Sequence, residues 1–121
     1  MRYMALYKPG HESGQPPTPE EMGAMGALIE QMMRDGTLVA TGGLQPSARG
    51  FRVRKSGGTV TVTDGPFSEA KELVGGFAIL EVESREHALE LTRRFLEVAG
   101  GGESEVRPMH DVETVAPRFG R

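Results

Sequence analysis

The side chains that could do chemistry in this chain gather around one corner and one terminal stretch. Asp64-Gly65-Pro66-Phe67 closes the alternating run Thr59-Val60-Thr61-Val62-Thr63 and leads into Ser68-Glu69-Ala70-Lys71-Glu72. A carboxylate at Asp64 can accept from nearby backbone donors or act as a base, Gly65 tolerates positive φ, and Pro66 fixes its own φ and cannot donate to a sheet. Phe67 is large and apolar enough to anchor the far side of the turn in the core. The corner therefore reads either as a well-made strand exit or as a turn that also lines a ligand site. Lys71 and Glu72 read in the same two ways, as an exposed polar strand or as charges around a pocket. Near the end, Arg107 precedes Pro108, and its planar guanidinium suits a ligand carboxylate or an internal partner such as Asp64, Glu69 or Glu72. His110-Asp111 with Glu113 could bind a metal or relay a proton, or be a solvated tail; the spacing matches no strong metal motif.

The elements that must position these groups follow from hydrophobic period and punctuation. Arg2 to Tyr7 alternates Tyr3, Ala5 and Tyr7 with Met4 and Leu6, a strand apolar on both faces. After a Gly- and Pro-rich loop over 9–17, Thr18-Pro19-Glu20-Glu21 is a capping box with proline at the first helical position. The helix it opens carries Met22, Met25, Ile29 and Met32 as its buried stripe, read as core filling, and stops at Asp35-Gly36. Gly23 and Gly26 weaken it and permit close packing. Thr37 to Thr41 is a second strand ending at Gly42-Gly43. Phe51 to Lys55 and Thr59 to Thr63 form a hairpin about Ser56-Gly57-Gly58. Phe77 to Glu83 is a central strand, Ser84 caps a helix whose Ala88, Leu91, Phe95 and Val98 face inward, and a last strand runs from Glu103 to about Met109.

The order β-α-β, hairpin insert, β-α-β predicts an α+β domain over residues 1–121: two split β-α-β units, a ferredoxin-like sandwich with two helices on one face of an antiparallel sheet. Two helices cover one face only. Because the first strand and Phe77 to Val82 are apolar on both, the open face should meet another sheet, and a homodimer is the simplest partner.

Composition sets the outer bounds. A chain of 121 residues with 37% hydrophobic content suits one domain. The net charge is −3 and the basic residues are scattered; Arg49, Arg52, Arg54 and Lys55 read as a solvated strand and loop, so direct nucleic-acid binding is not expected. With no cysteine there are no disulfides, thiolate nucleophiles or thiolate metal sites, and Met1-Arg2-Tyr3-Met4 opens no apolar run suited to a signal or a membrane span. A cytoplasmic protein is the natural expectation. No phosphate loop or dinucleotide fingerprint points to a cofactor.

The segment Val62-Thr63-Asp64-Gly65-Pro66-Phe67-Ser68-Glu69-Ala70-Lys71-Glu72, followed by Gly75-Gly76-Phe77, resembles the hallmark of the DGPF group within the YCII-related proteins. Arg2 to Tyr7, Asp35-Gly36-Thr37-Leu38-Val39, Gly42-Gly43-Leu44 and Glu105-Val106-Arg107-Pro108 extend the resemblance over nearly the whole chain. It implies a dimeric α+β barrel, in which two sheets face one another and enclose clefts. It also implies an acid at Asp35, paired in YCII-type proteins with a first-helix histidine. That histidine would fall near Glu21, and 18–36 contain none. Residues 21 and 35 of one continuous helix would in any case stand ~21 Å apart.

Three function classes follow. One is a small cofactor-independent enzyme acting on a small polar or aromatic molecule in a dimer cleft, with Asp35, Asp64 and Glu72 as candidate catalytic carboxylates and Phe67, Lys71, Arg107 and His110 as candidate ligand contacts. The second is a non-catalytic binding dimer using the same cleft. The third is a protein-interaction module, which the resemblance suggests because DGPF-type domains occur alongside transcription sigma factors.

Overall fold

The computed structural model describes residues 1–9, 17–67, 69 and 73–110. Thr18 opens the first helix, α1 (Pro19–Arg34), as its residue types require: its Oγ1 accepts from the Glu21 amide at 3.2 Å, and the Glu21 carboxylate accepts from the Thr18 amide at 2.8 Å. The helix ends at Asp35, with Gly36 beyond it at φ 77°, a left-handed value that glycine adopts without strain. The second helix, α2 (Arg85–Ala99), starts on the Ser84 hydroxyl and stops at Gly100, φ 86°. Both stops are glycines where the backbone requires one.

Around the helices run β1 (Arg2–Lys8), β2 (Leu38–Gly43), β3 (Phe51–Ser56), β4 (Thr59–Asp64), β5 (Gly76–Glu81) and β6 (Glu103–Pro108). Four of them form one sheet in the order β2-β5-β1-β6, with every neighbouring pair antiparallel. This is the ferredoxin-like α+β arrangement. The strand expected to be central, β5, lies inside the sheet, beside β1. β3 and β4 form a separate two-stranded sheet, inserted between β2 and β5.

Register decides which face each side chain takes. Tyr3 lies opposite Leu80 and Ala5 opposite Ala78 and Val106, on the helix side; Met4 lies opposite Ile79 and Leu6 opposite Phe77, on the open side. A register shift between Leu38 and Ala40 puts Val39 out of step, and it is exposed. The core joins Tyr3, Leu28, Met32, Leu38, Leu80, Val82, Ala88 and Leu91, with Met25, Ile29, Phe95 and Val98 packed against it.

The α1 stripe differs from the sequence expectation at two points. Met22 is 61% exposed, and Leu28 takes the buried place. The buried residues of the helix, Leu28 and Met32, both lie in its second half. A Cβ at Gly23 or Gly26 would meet nothing within 4 Å, so neither glycine serves close packing.

Candidate functional site

Gly65 is the residue on which the corner turns. Asp64 ends β4 opposite Phe51, and the Gly65 amide donates to the Gly50 carbonyl at 2.9 Å. A Cβ on Gly65 would stand 1.8 Å from the Ser47 carbonyl oxygen, so only glycine lets the corner lie on the single 3-10 turn Ser47–Arg49. Its φ is not positive, so close approach and not turn chirality selects glycine here. The Gly65–Pro66 peptide is cis. The Phe67 amide donates to Ser47 Oγ at 3.1 Å, and the Arg52 guanidinium sits 3.8 Å from the Phe67 ring centroid.

This arrangement corrects two expectations. Phe67 is half-buried and does not belong to the core; it lines a groove with Leu44, Pro46, Phe51, Leu73 and Val74. Arg52, expected to be solvated, stacks on that ring in a cation–π contact. Ser47 was the residue the sequence hid. A serine after proline in a loop carries no signal that its carbonyl and hydroxyl will seat a turn eighteen residues later. Arg52 could have been found from the alternation, since it lies on the face opposite Phe51 and Val53.

The other candidates are spread over the molecule. Among the described residues Asp64 makes no ion pair. Asp35 is exposed at the C-terminus of α1, and its amide donates to the Gln31 carbonyl at 2.9 Å. It precedes the start of β2, whereas the corner lies beyond the end of β2, about 17 Å further along the strand at ~3.3 Å per residue. Arg107 is on edge strand β6, opposite Met4, with Glu105 3.7 Å away. Three strand spacings, ~14 Å in all, separate β6 from β2 and the side where the corner departs. Within one protomer, then, the fold does not bring Arg107 to Asp64. His110 is exposed just past β6, at the end away from the corner. Lys71 and Glu72 lie outside the described residues, as do Asp111 and Glu113 of the His110 cluster. Among the described residues no three His, Asp or Glu side chains could hold a metal, and no helix is long and apolar enough to cross a membrane.

Ion pairs lie on the exposed faces of both helices, Arg34 with Glu30 and Arg93 with Glu90 and Glu97, and at the strand ends. The Arg2 side chain and then the N-terminal amine, 2.9 and 3.0 Å from the Glu81 carboxylate, hold that carboxyl below its ordinary range. The Lys8 ammonium, 2.9 Å from Glu105, does the same there, with Arg107 adding a smaller effect.

A second concavity lies inside the sandwich, on the helix side of the sheet. It has a volume of about 180 Å³ and is almost wholly apolar. Its floor is made of small residues, Ala5, Ala78 and Gly76, and Met25, Ile29 and Phe95 stand over it. Tyr7 is held at its end by an edge-on contact with Phe95, ring centroids 5.1 Å apart, and by a hydroxyl hydrogen bond to the Gly101 carbonyl at 3.1 Å.

Comparison with known proteins supplies the family. The YCII-related domain model matches residues 1–111. An uncharacterized protein of Rhizobium meliloti (strain 1021) is 32% identical over 86 residues, covering 70% of this chain and 69% of that protein. A solved structure of 5-chloro-2-hydroxyhydroquinone dehydrochlorinase from Burkholderia phenoliruptrix AC1100, in complex with 2,5-dihydroxybenzoquinone, aligns with a TM-score of 0.49 at 14% identity, over 94% of this chain and 98% of that one. With a family match running from the first strand to just beyond the last, the chain belongs to the YCII-related domain family.

Proposed function

We propose that this protein works as a homodimer that takes up a small polar or aromatic molecule in a cleft between the copies, beside the Asp64-Gly65-Pro66-Phe67 corner, and acts on it without a cofactor. The observation that carries the reading is the corner itself. It is fixed by a backbone contact at Gly65, two hydrogen bonds and the Arg52–Phe67 stack. It holds the Asp64 carboxylate on a rigid mount, free of ion pairs to the described residues, the condition a positioned general base needs. The groove beside it offers Leu44, Phe51 and Phe67 to an aromatic molecule.

The dimer is supported by what the helices leave uncovered. Met4, Leu6, Phe77 and Ile79 share the open face in register, and the hairpin adds Phe51, Val53, Val60 and Val62, each between 58% and 65% exposed. Such apolar area, on the main sheet and on the separate hairpin, calls for a covering surface, and a second copy offers a matching one. Arg107 and Glu105 edge that face and suit the rim of a cleft that holds an anionic group. The DGPF hallmark, which includes Lys71 and Glu72, points to the same corner.

Uptake without turnover is the second reading, favoured by the absence of histidine from 18–36, where the family's acid–base partner is expected. Light scattering on the parent and on Leu6→Glu, with ligand-induced melting shifts from a metabolite panel for the parent, Asp64→Asn and Arg107→Ala, tests the proposal. The parent is expected to be a dimer, Leu6→Glu a monomer, and Asp64→Asn a folded dimer that binds without turnover. A folded parent monomer at micromolar concentration overturns the dimer; a ligand bound and converted equally by all variants overturns the site.

A further inference from the structure

We infer that Arg49 anchors the ligand of the corner groove and that this ligand is a monocarboxylate: its carboxylate on the Arg49 guanidinium, an apolar body along the groove, and no second negative charge at the Asp64 end. The inference rests on the reading of the corner as the binding site and adds the charge pattern of what binds there.

The fold of one protomer brings Arg49 to the corner, which it does not do for Arg107. Arg49 ends the 3-10 turn on which Gly65 lies, and its neighbour Gly50 accepts the Gly65 amide at 2.9 Å. Arg49 and Asp64 are thus each one residue from that hydrogen bond, with Cα atoms no more than ~13 Å apart. The Gly65–Ser47 contact and the hydrogen bond from Phe67 to Ser47 lock the turn to the corner, so the spacing of the two backbones is fixed. Their charges nevertheless stay apart. Among the described residues neither the Arg49 guanidinium nor the Asp64 carboxylate has an ion-pair partner.

The groove beside them decides what can bridge the two charges. It has a volume of about 560 Å³, within the range of small-molecule sites, and Leu44, Pro46, Phe51, Phe67, Leu73 and Val74 give it apolar walls. Its polar side chains are Gln45, Ser47 and Arg49, so the lining carries one charge. Asp64 stands at its edge, opposite Phe51 in the hairpin ladder. A planar guanidinium donates two parallel hydrogen bonds to a carboxylate, and one guanidinium matches one such group. A phosphate dianion or a dicarboxylate would carry unmatched charge against apolar walls. At the other end the Asp64 carboxylate repels a second anion and accepts an N–H or O–H from the ligand body.

Valerate, valeramide and glutarate are the probes, one carbon skeleton carrying one charge, none and two. Each is titrated into the full chain and followed by NMR shifts of the assigned Leu44, Leu73 and Val74 methyl groups. Valerate is expected to bind roughly 10-fold more tightly than valeramide, the factor one charge-assisted hydrogen bond supplies, and more tightly than glutarate. Arg49→Gln should abolish the preference for valerate over valeramide, and Arg49→Lys, which keeps the charge without the fork, should retain part of it. Asp64→Asn should raise glutarate binding towards that of valerate. Both positions are exposed, so these variants should fold as the parent does. Leu6→Glu should keep the same preferences, because every lining residue belongs to one chain; a parent found monomeric would overturn the dimer and leave this assignment standing. Equal binding of valerate and valeramide at the corner, or a preference that survives unchanged in Arg49→Gln, would overturn the assignment and leave the corner as a site for neutral molecules. No shift of the three methyl groups with any probe on the order of 10 mM would overturn both.

Discussion

Gly65→Ala tests whether the corner is architecture built on a backbone contact. The new Cβ would lie 1.8 Å from the Ser47 oxygen and 2.7 Å from its carbonyl carbon, and both are main-chain atoms that no rotamer change can move away. The corner must lift from the 3-10 turn by at least about 1 Å, enough to forfeit the contacts made there. Two hydrogen bonds go with it, from Gly65 to the Gly50 carbonyl and from Phe67 to Ser47 Oγ, at ~1 kcal/mol each. Losing the Arg52–Phe67 stack adds ~0.5–1 kcal/mol. The expected cost is therefore about 3 kcal/mol, near two decades in an opening equilibrium. Amide hydrogen exchange reads it site by site: protection at Gly65 and Phe67 should fall roughly 100-fold, while Leu80 and Leu91 in the core change far less. Ser47→Ala, which removes only the hydroxyl, should cost ~1 kcal/mol. If Gly65→Ala keeps parental protection at both amides, the corner is not held as described.

Phe67→Ala should cost ~2 kcal/mol, below the ~3–5 kcal/mol of a fully buried ring, because Phe67 is half-buried; chemical denaturation distinguishes the two values. Stability should also depend on acid in a defined window. Glu81 and Glu105 titrate below their ordinary value of 4.5 in the folded state, so the stabilisation they provide is complete above that value and is lost as pH falls through the lowered one. Melting temperature should thus be flat from neutrality to about pH 5 and drop below it, with a shallower drop in Glu81→Gln; equal slopes for parent and variant would refute the assignment. Added salt should narrow the difference, since the contacts of Glu81 with Arg2 and the N-terminal amine are solvent-exposed.

Much of this fold was legible because period and punctuation agreed. The capping box at Thr18, the Ser84 cap, the Gly36 and Gly100 stops and the two-sided strands β1 and β5 all stand where the residue types put them. Met22 misled because a helical stripe says which residues share a face but not how much of that face the sheet covers. The site was less legible because proximity across strands is not local. Asp64, Asp35, Arg107 and His110 look alike as candidate polar groups, yet strand order sends them to different ends and edges of the sheet. Gly65 was assigned to the right corner for the wrong reason, since a backbone contact with Ser47 leaves no trace in the turn sequence. The inner cavity was written in Ala5, Gly76 and Ala78, whose smallness becomes meaningful only when the register aligns them.

The hairpin of β3 and β4 carries a consequence for the order in which the molecule comes apart. It has its own two-stranded ladder, separate from the main sheet. An isolated pair of strands draws little stability from itself. Among the described residues no further strand joins either edge of this ribbon, which carries Arg52 and Arg54 on one face and Val53 and Val62 on the other. On heating, this ribbon should fray before the four-stranded sheet and present an apolar template to other chains in the same state. Turbidity on thermal unfolding should accordingly rise with protein concentration, and a charge at Val62, which leaves the main core untouched, should delay it.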